Sequence, residues 1–538
     1  MGVKRHCHPI FAAYISDYPE QVVVTCCISG NCPQCIIPRQ VIGENTDPYP
    51  SHQLWLILKT LQMANDSASA FIKACRDANV KPVFDPFWAH LPYSNVYTSI
   101  TPDILHQLYQ GVFKHMKNWV IDTYGAHEID ARCRRLPPNH NVRIFTKGIS
   151  TLQRMSSFIL GLIAEAPLPG GMSNTRLVRC LRGLIDFLYL SQYPVHSTHP
   201  LNLLSNALHC IRSDFRIPKI HFMNHYVDDI QGMGTLDNFN TEYTERLHID
   251  LAKQAYRATN KKDELSQMAL WLERKEKWVK AGKHPPLQSH WVPPGMNPTR
   301  TLKMTKHPSV NRHYGATFFK AALARFVVQL KQPNLAGTRL DDAVSGLFLG
   351  VSHVSAYHRI KYLYQDTFTG ISSTADSIHA QPARKDKHRH SLSGRFDTAL
   401  VRVSNSESAG PLDINRDTRV GQVQIVFTLT DKASEHLFQS VPTQDRPHVL
   451  AYIEWFTPFT TQDPNHGLYK VSRSTVEGGR LASIIDIQRI LRSVHFLPRF
   501  GPIANCEWTS SSVLEDCTSF LVNSDSDWDI YQFFASKP

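Results

Sequence analysis

The apolar residues of this chain keep two different rhythms, and that change restricts the fold more than any other feature. Between residues 53 and 79, Leu54, Ile57, Leu58, Leu61, Ala64, Ala68, Phe71, Ile72 and Cys75 recur at steps of three and four, the period of an amphipathic helix. Beyond Arg395 the apolar residues come instead in short β-branched or aromatic runs separated by turns, at 399–403, 421–429, 449–456 and 467–471. A chain with both rhythms reads as α+β, helical in front and β-rich behind. With 538 residues it has room for about two to four domains with cores of their own. No repeat with a period of about 20 to 50 residues runs through it, which disfavours a solenoid.

Punctuation divides the chain further. Residues 11–25 are apolar and β-branched and read as a strand, with a tight cysteine loop after it. Pro82, Pro86, Pro92 and Pro102 exclude a helix interior between 81 and 102. A helix is expected to begin at Thr101-Pro102-Asp103, with Thr101 as N-cap and Pro102 in its first position. Helical spacing continues over 103–124, 152–164 and 175–190, and 241–280 reads as one or two long polar helices. A proline-rich basic connector follows, then a helix at 314–330 and a strand near 342–357. Residues 367–394, rich in Ser, Thr, His, Lys and Arg, read as a linker. The expected organisation is core strands and cysteine loop at 1–50, helical core at 51–283, connector at 284–366, linker at 367–394 and a small β-rich domain at 395–538.

Charge and cysteine usage narrow the surroundings. Lys and Arg number 58 against 46 Asp and Glu, a net +12 that favours polyanionic partners. Apolar runs such as 158–164 fall far short of the roughly 20 residues that cross a bilayer, so no membrane span is expected. Eleven cysteines, an odd count, do not make a disulfide framework in a chain this long, and a reducing compartment fits best.

Three constellations could carry chemistry. Cys32-Pro33-Gln34-Cys35 is a CxxC knuckle whose two sulfurs can face one tetrahedral Zn²⁺, with Cys26 or Cys27 and a distal His or Cys completing the set; His6, Cys7 and His8 lie upstream. Unligated buried cysteines are the alternative. Asp103 and His106 are three apart and share a helix face, where a carboxylate is more often a cap. Glu242, Glu245 and His248 crowd the start of the 241–280 helix, a pattern that a solvated face with ion pairs also explains. No phosphate-binding GxxxxGK[ST], dinucleotide GxGxxG, GxSxG elbow or HExxH occurs.

Several segments in a fixed order carry a resemblance. These are Tyr18-Pro19-Glu20-Gln21-Val22, the CxxC knuckle, Pro86-Phe87-Trp88-Ala89-His90-Leu91-Pro92-Tyr93 and Ile100-Thr101-Pro102-Asp103-Ile104-Leu105-His106-Gln107-Leu108-Tyr109-Gln110-Gly111. Asp130-Ala131-Arg132-Cys133-Arg134-Arg135 and Glu245-Arg246-Leu247-His248-Ile249-Asp250 follow. Together they resemble the Plavaka-type transposases of fungi, which belong with the CACTA-like DDE elements. The resemblance implies an RNase H-like core with a large helical insertion, in which three carboxylates hold two Mg²⁺ or Mn²⁺ ions that cleave and transfer DNA strands. It makes Asp103 the second acid and Glu245 the third, with Glu242 as rival and His106 and His248 as flanking groups. The family's first Asp precedes the Tyr-Pro-Glu-Gln segment, and Asp17 is a poor stand-in for it. An incomplete core, N-terminal truncation and impaired catalysis are therefore expected. DNA is the implied partner, the nucleus the implied location and a homo-oligomer a possible state. A noncatalytic DNA- or chromatin-binding remnant is the other reading, with Arg132, Arg134, Arg135 and Lys147 as phosphate contacts or, more plainly, a solvated rim.

Overall fold

The computed structural model describes residues 10–43, 49–65, 67–91, 93–140, 142–143, 145–152, 158–211, 217–280, 300–303, 309–365, 372–404 and 413–535. It contains helices and antiparallel sheets, an α+β architecture. The chain divides into two compact units. One takes residues 1–120, 152–155 and 179–290, the other 121–151, 156–178 and 291–538. His6, Cys7 and His8, and residues 284–299 of the connector expected at 284–366, lie outside the described residues.

The first unit is helical. Its described β pairing consists of three isolated bridges, Tyr14 with Ile100 in parallel and Cys27 with Val80 and Cys35 with Ser51 antiparallel. No RNase H-like sheet is present among its described residues. The segment expected to be a strand at 11–25 contains the helix Tyr18–Val24. Asp17 caps it, accepting from Glu20 N at 3.0 Å, and Pro19 sits in the first turn. This N-terminal chemistry outweighs the strand preference of Val22-Val23-Val24.

The periodic stretch after residue 53 breaks into Leu54–Gln62 and Ala68–Asp77, the second capped by Ser67 Oγ. Their apolar faces close on Val22, Ile57, Leu61, Val80, Trp88 and Tyr97. The proline-rich segment is pinned to this core by two side chains. Trp88 Nε1 donates to Val24 O at 2.7 Å and Tyr97 OH donates to Thr25 O at 3.0 Å. Farther on, Glu242–Leu247, the π-helical His248–Lys253 and Gln254–Arg257 run on without a break, and Glu264–Lys280 follows. No helix among the described residues is long and apolar enough to cross a membrane.

The second unit is built on a seven-stranded antiparallel sheet. Arg300–Lys303, His353–Tyr357, Thr418–Leu429, Leu450–Trp455 and Ala482–Asp486 lie in that order, while Thr398–Arg402 pairs with Thr418–Leu429 and carries Ile490–Ser493. The twelve-residue strand Thr418–Leu429 is buried along most of its length, because both faces of the sheet are covered. Ile425 and Phe427 meet Phe319, Leu323 and Leu437 on one side. Val423 and Val426 meet Ile378, Ala399 and Val401 on the other. A further aromatic core gathers Phe456, Phe496 and Phe520 around the smaller sheet of Lys470–Ser472, Ser519–Val522 and Phe496–Pro498.

Three sequence expectations differ from this unit. The stretch read as a linker at 367–394 carries the ten-residue strand Ser372–Gln381, paired with Arg359–Gln365. Its polar composition is accommodated because Asp376 is buried and accepts from Ser493 N and Oγ at 2.5 and 2.7 Å. The main sheet recruits strands from before residue 395, so the β-rich unit starts earlier than the composition change. Residues 338–346, placed partly in an expected strand, form the helix Thr338–Gly346. In the main sheet, partners such as His353–Tyr357 and Thr418–Leu429 are distant in sequence, and composition near one strand does not reveal them.

Candidate functional site

Asp103 is the centre of a buried polar knot in the first unit. It follows Ile100, whose parallel bridge with Tyr14 is extended by Thr101 N and Oγ1 donating to Tyr14 O at 3.3 and 3.2 Å. That use of Thr101 removes it as N-cap. The cap is Asp103, which opens the helix Ile104–Val112, and the helix is of π type rather than the expected α. Such wide turns recur at functional sites.

Asp103 is 1% exposed. Oδ1 accepts from Leu105 N at 3.3 Å and from Thr241 N at 3.2 Å; Oδ2 accepts from His106 N at 3.1 Å and lies 2.6 Å from His106 Nδ1. Thr241 Oγ1 stands 2.9 Å from both oxygens. The other nitrogen of the same imidazole, Nε2, faces Glu245 Oε1 at 3.7 Å. His106 thus stands between two carboxylates, one buried and one open to solvent, and Asp103 sets the orientation of its ring.

Glu242 and His248 are exposed, and neither joins this knot among the described contacts. Two residues that sequence reasoning passed over do belong near it. Lys219 Nζ donates to His106 O at 2.8 Å; burial lowers its pKa, and Asp17 and Asp103 draw it back up. Gly111 makes room for that lysine, since a Cβ there would come within 2.6 Å of Lys219 Cδ. The parallel bridge of Tyr14 and Ile100 places Asp17 and Asp103 each three residues on, at one edge. Each caps a helix there. The sequence signal for this symmetry was present, in two Asp residues that each precede a helix start.

A second cluster lies in the same unit. Cys32, Cys35, His221 and His225 bring their ligand atoms within 4.8 Å of one another. Cys32 Sγ is 3.3 Å from His225 Nε2 and Cys35 Sγ is 3.2 Å from His221 Nε2. The backbone N–H of Gln34 donates to Cys32 Sγ at 3.5 Å. Hydrogen bonds from Cys32, His221 and His225 hold Cys35 far below the ordinary thiol range, while burial pushes Cys32 up. Tetrahedral zinc with bonds of about 2.0 to 2.3 Å needs donor atoms about 3.5 Å apart. The two Cys–His pairs, at 3.3 and 3.2 Å, are close to that, and the four donors together could hold such an ion.

Cys26 and Cys27 were expected among the ligands but stand outside the group. Cys26 is fully buried in the apolar core beside Val22 and Trp88, and Cys27 Sγ lies 3.7 Å from His52 Nε2. Burial raises their thiols to about 12 and about 11. The side chains that converge on the knuckle instead are two histidines, four apart at the end of the helix Pro218–Phe222 and in the turn after it. Their HxxxH spacing was legible, although their partner lies 186 residues upstream.

The two clusters share supports. Gln34, inside the knuckle, donates to Ile100 O at 2.7 Å and to both oxygens of Asp229 at 3.1 and 3.2 Å. Burial carries Asp229 up to about 7. The five-residue helix Pro218–Phe222 sends Lys219 to the Asp103 knot and His221 to the cysteines.

In the second unit, Arg132 is 0% exposed and cannot meet a phosphate. Its guanidinium donates to Glu128 Oε1 at 2.6 Å and to the carbonyls of Leu162, Gly501 and Pro502 at 2.7, 3.1 and 2.8 Å. Arg135 is spent on Asn505 O and Ala131 O. Arg134 and Lys147 remain exposed.

Residues 1–120 match the family model of the Plavaka transposase. The match spans less than a quarter of the 538 residues and contains Asp17, the knuckle, Asp103 and His106. No curated protein and no solved structure matches the chain.

Proposed function

We propose that this is a transposase-derived, DNA-handling protein of the DDE type, whose ancestral chemistry is metal-dependent strand cleavage and transfer, and that cleavage is impaired in this chain. The family match over residues 1–120 supports a transposase-derived function. Both clusters join that matched segment to residues beyond it, Asp103 to Thr241 and Glu245, and Cys32 and Cys35 to His221 and His225. This favours extending the transposase-derived part through the whole first unit.

The impairment rests on one observation. A two-ion clamp needs carboxylate oxygens turned outward to the metals. Asp103 is buried, and both of its oxygens are taken up by Leu105, His106 and Thr241. Mg²⁺ or Mn²⁺ does not fit on Asp103 so engaged, and we assign it the role of orienting His106. His106 can then hold or pass a proton at Nε2 toward Glu245, or meet a phosphate oxygen there. Zinc, in contrast, fits Cys32, Cys35, His221 and His225, where it would supply a structural cross-link. DNA as partner and the nucleus as location follow from the same reading, supported by the net charge of +12.

The test is incubation of the purified chain with duplex DNA carrying the element's termini, in Mg²⁺ and in Mn²⁺, beside Asp17→Ala and Glu245→Ala. The expected result is salt-sensitive binding with no cleavage above a chelated control. Metal-dependent nicking that disappears in both variants would overturn the impairment and make Asp17 and Glu245 the working acids.

A further inference from the structure

We propose that the short β-hairpin 384–392 of the second unit is a docking element for the sugar–phosphate backbone of duplex DNA; the inference rests on the DNA-handling reading above and deepens it. Arg384–Lys385 pairs antiparallel with Ser391–Leu392, Arg384 opposite Leu392 and Lys385 opposite Ser391. Arg384, Lys385, Lys387 and Arg389 are all exposed, and His388 and His390 stand among them.

The single acid, Asp386, is turned inward and consumed by the turn. Its Oδ1 accepts from His388 N and His390 N, both at 2.8 Å, and Oδ2 lies 3.2 Å from His390 Nδ1. Asp386 N donates to His390 O at 2.9 Å and Arg389 N to Asp386 O at 3.0 Å, with Arg389 at φ 66°. Among the described residues, His390–Asp386 is the hairpin's one ion pair. Four full positive charges are therefore held on a braced turn with no acidic partner, at an electrostatic cost that a row of phosphates would reverse.

A two-stranded ribbon also suits duplex DNA in shape. It is narrow enough for the major groove, about 12 Å wide, whose two walls are phosphate rows. Neutralising four phosphates adds about 3.6 to the slope of log affinity against log salt. Between 50 and 200 mM salt that is a loss of about 150-fold.

The experiment is fluorescence anisotropy of the full chain on a labelled duplex of mixed sequence across a salt series. The wild type is compared with the fourfold variant Arg384→Ala, Lys385→Ala, Lys387→Ala, Arg389→Ala. A control variant replaces four exposed cations elsewhere in the same unit, Lys320→Ala, Arg416→Ala, Lys432→Ala and Lys470→Ala. Thermal melts confirm that these surface variants remain folded, and Arg389→Lys, which keeps the charge at the tip, should bind as the wild type does. The expected result is a slope reduced by about 3 to 4 in the hairpin variant and by less than about 1 in the control. An unchanged slope in the hairpin variant, or an equal loss in the control, overturns the hairpin's role while leaving DNA handling intact. Tighter binding of an RNA duplex by about tenfold or more overturns duplex DNA as the partner. Absence of salt-dependent binding by the wild type itself brings down the functional reading first.

Discussion

His106 Nδ1 lies 2.6 Å from Oδ2 of Asp103, three residues earlier in the chain, and Asp103 uses its remaining acceptor capacity on backbone N–H groups and on Thr241. A carboxylate so engaged is a keystone of local structure. It closes a helix start, fixes an imidazole and ties residue 103 to residue 241.

Asp103→Ala should therefore behave as a stability mutation. It leaves a helix cap and several buried donors unsatisfied and should cost about 2 to 4 kcal/mol in urea unfolding. Glu245, with a side chain 46% exposed, should cost about 0.5 kcal/mol or less on the same change. Equal losses in the two variants would contradict the keystone role.

The purified chain should carry one zinc on Cys32, Cys35, His221 and His225. Cys35→Ser and His221→Ala should abolish zinc content by mass spectrometry or metal analysis, whereas Cys26→Ser and Cys27→Ser should keep it. Chelation should lower the melting temperature of the first unit, because zinc binding energy at such sites is folding energy. It should also perturb the environment of His106, since Pro218–Phe222 and Gln34 brace both clusters. An NMR shift of His106 on chelation reads that out directly.

Arg132→Ala should cost the second unit about 3 to 5 kcal/mol, leaving Glu128 and three carbonyls without their buried partner. The salt slope of DNA binding in the surviving folded fraction should not change. A drop in slope would restore Arg132 as a phosphate contact.

His495 makes acid stability of the second unit predictable. It is fully buried; Nε2–H donates to Pro137 O at 3.1 Å and Nδ1 accepts from Asn523 at 3.0 Å, so desolvation holds its pKa down at about 4 against 6.5 when exposed. Between these values the unfolded chain binds a proton that the folded one refuses. The contribution is full above pH 6.5 and is lost as pH falls toward 4, amounting to about 3 kcal/mol. The difference in unfolding free energy between wild type and His495→Gln should show that slope in this window and be flat outside it; a difference that is flat throughout would refute it.

Local chemistry was legible in the residues themselves. The knuckle Cys32-Pro33-Gln34-Cys35, the paired Asp103 and His106, the helices about residues 54–77 and 175–191 and the central strand near 421–429 all follow from spacings within one turn or one strand. What lay beyond that range was decided in three dimensions. Cys26 and Cys27 satisfy the spacing of ligands yet fill the core, and it is His221 and His225 that converge on Cys32 and Cys35, because a donor cluster is built by whichever side chains meet in space. Asp17 and Asp103 look alike as caps, but only the parallel bridge of Tyr14 and Ile100 sets them at one edge. A polar stretch that composition marks as a linker becomes strand Ser372–Gln381, paired with its neighbour Arg359–Gln365, because the distant Ser493 satisfies its buried Asp376. Propensity and spacing act over a few residues, whereas burial, strand pairing and ligand convergence depend on neighbours that the order of residues alone does not name.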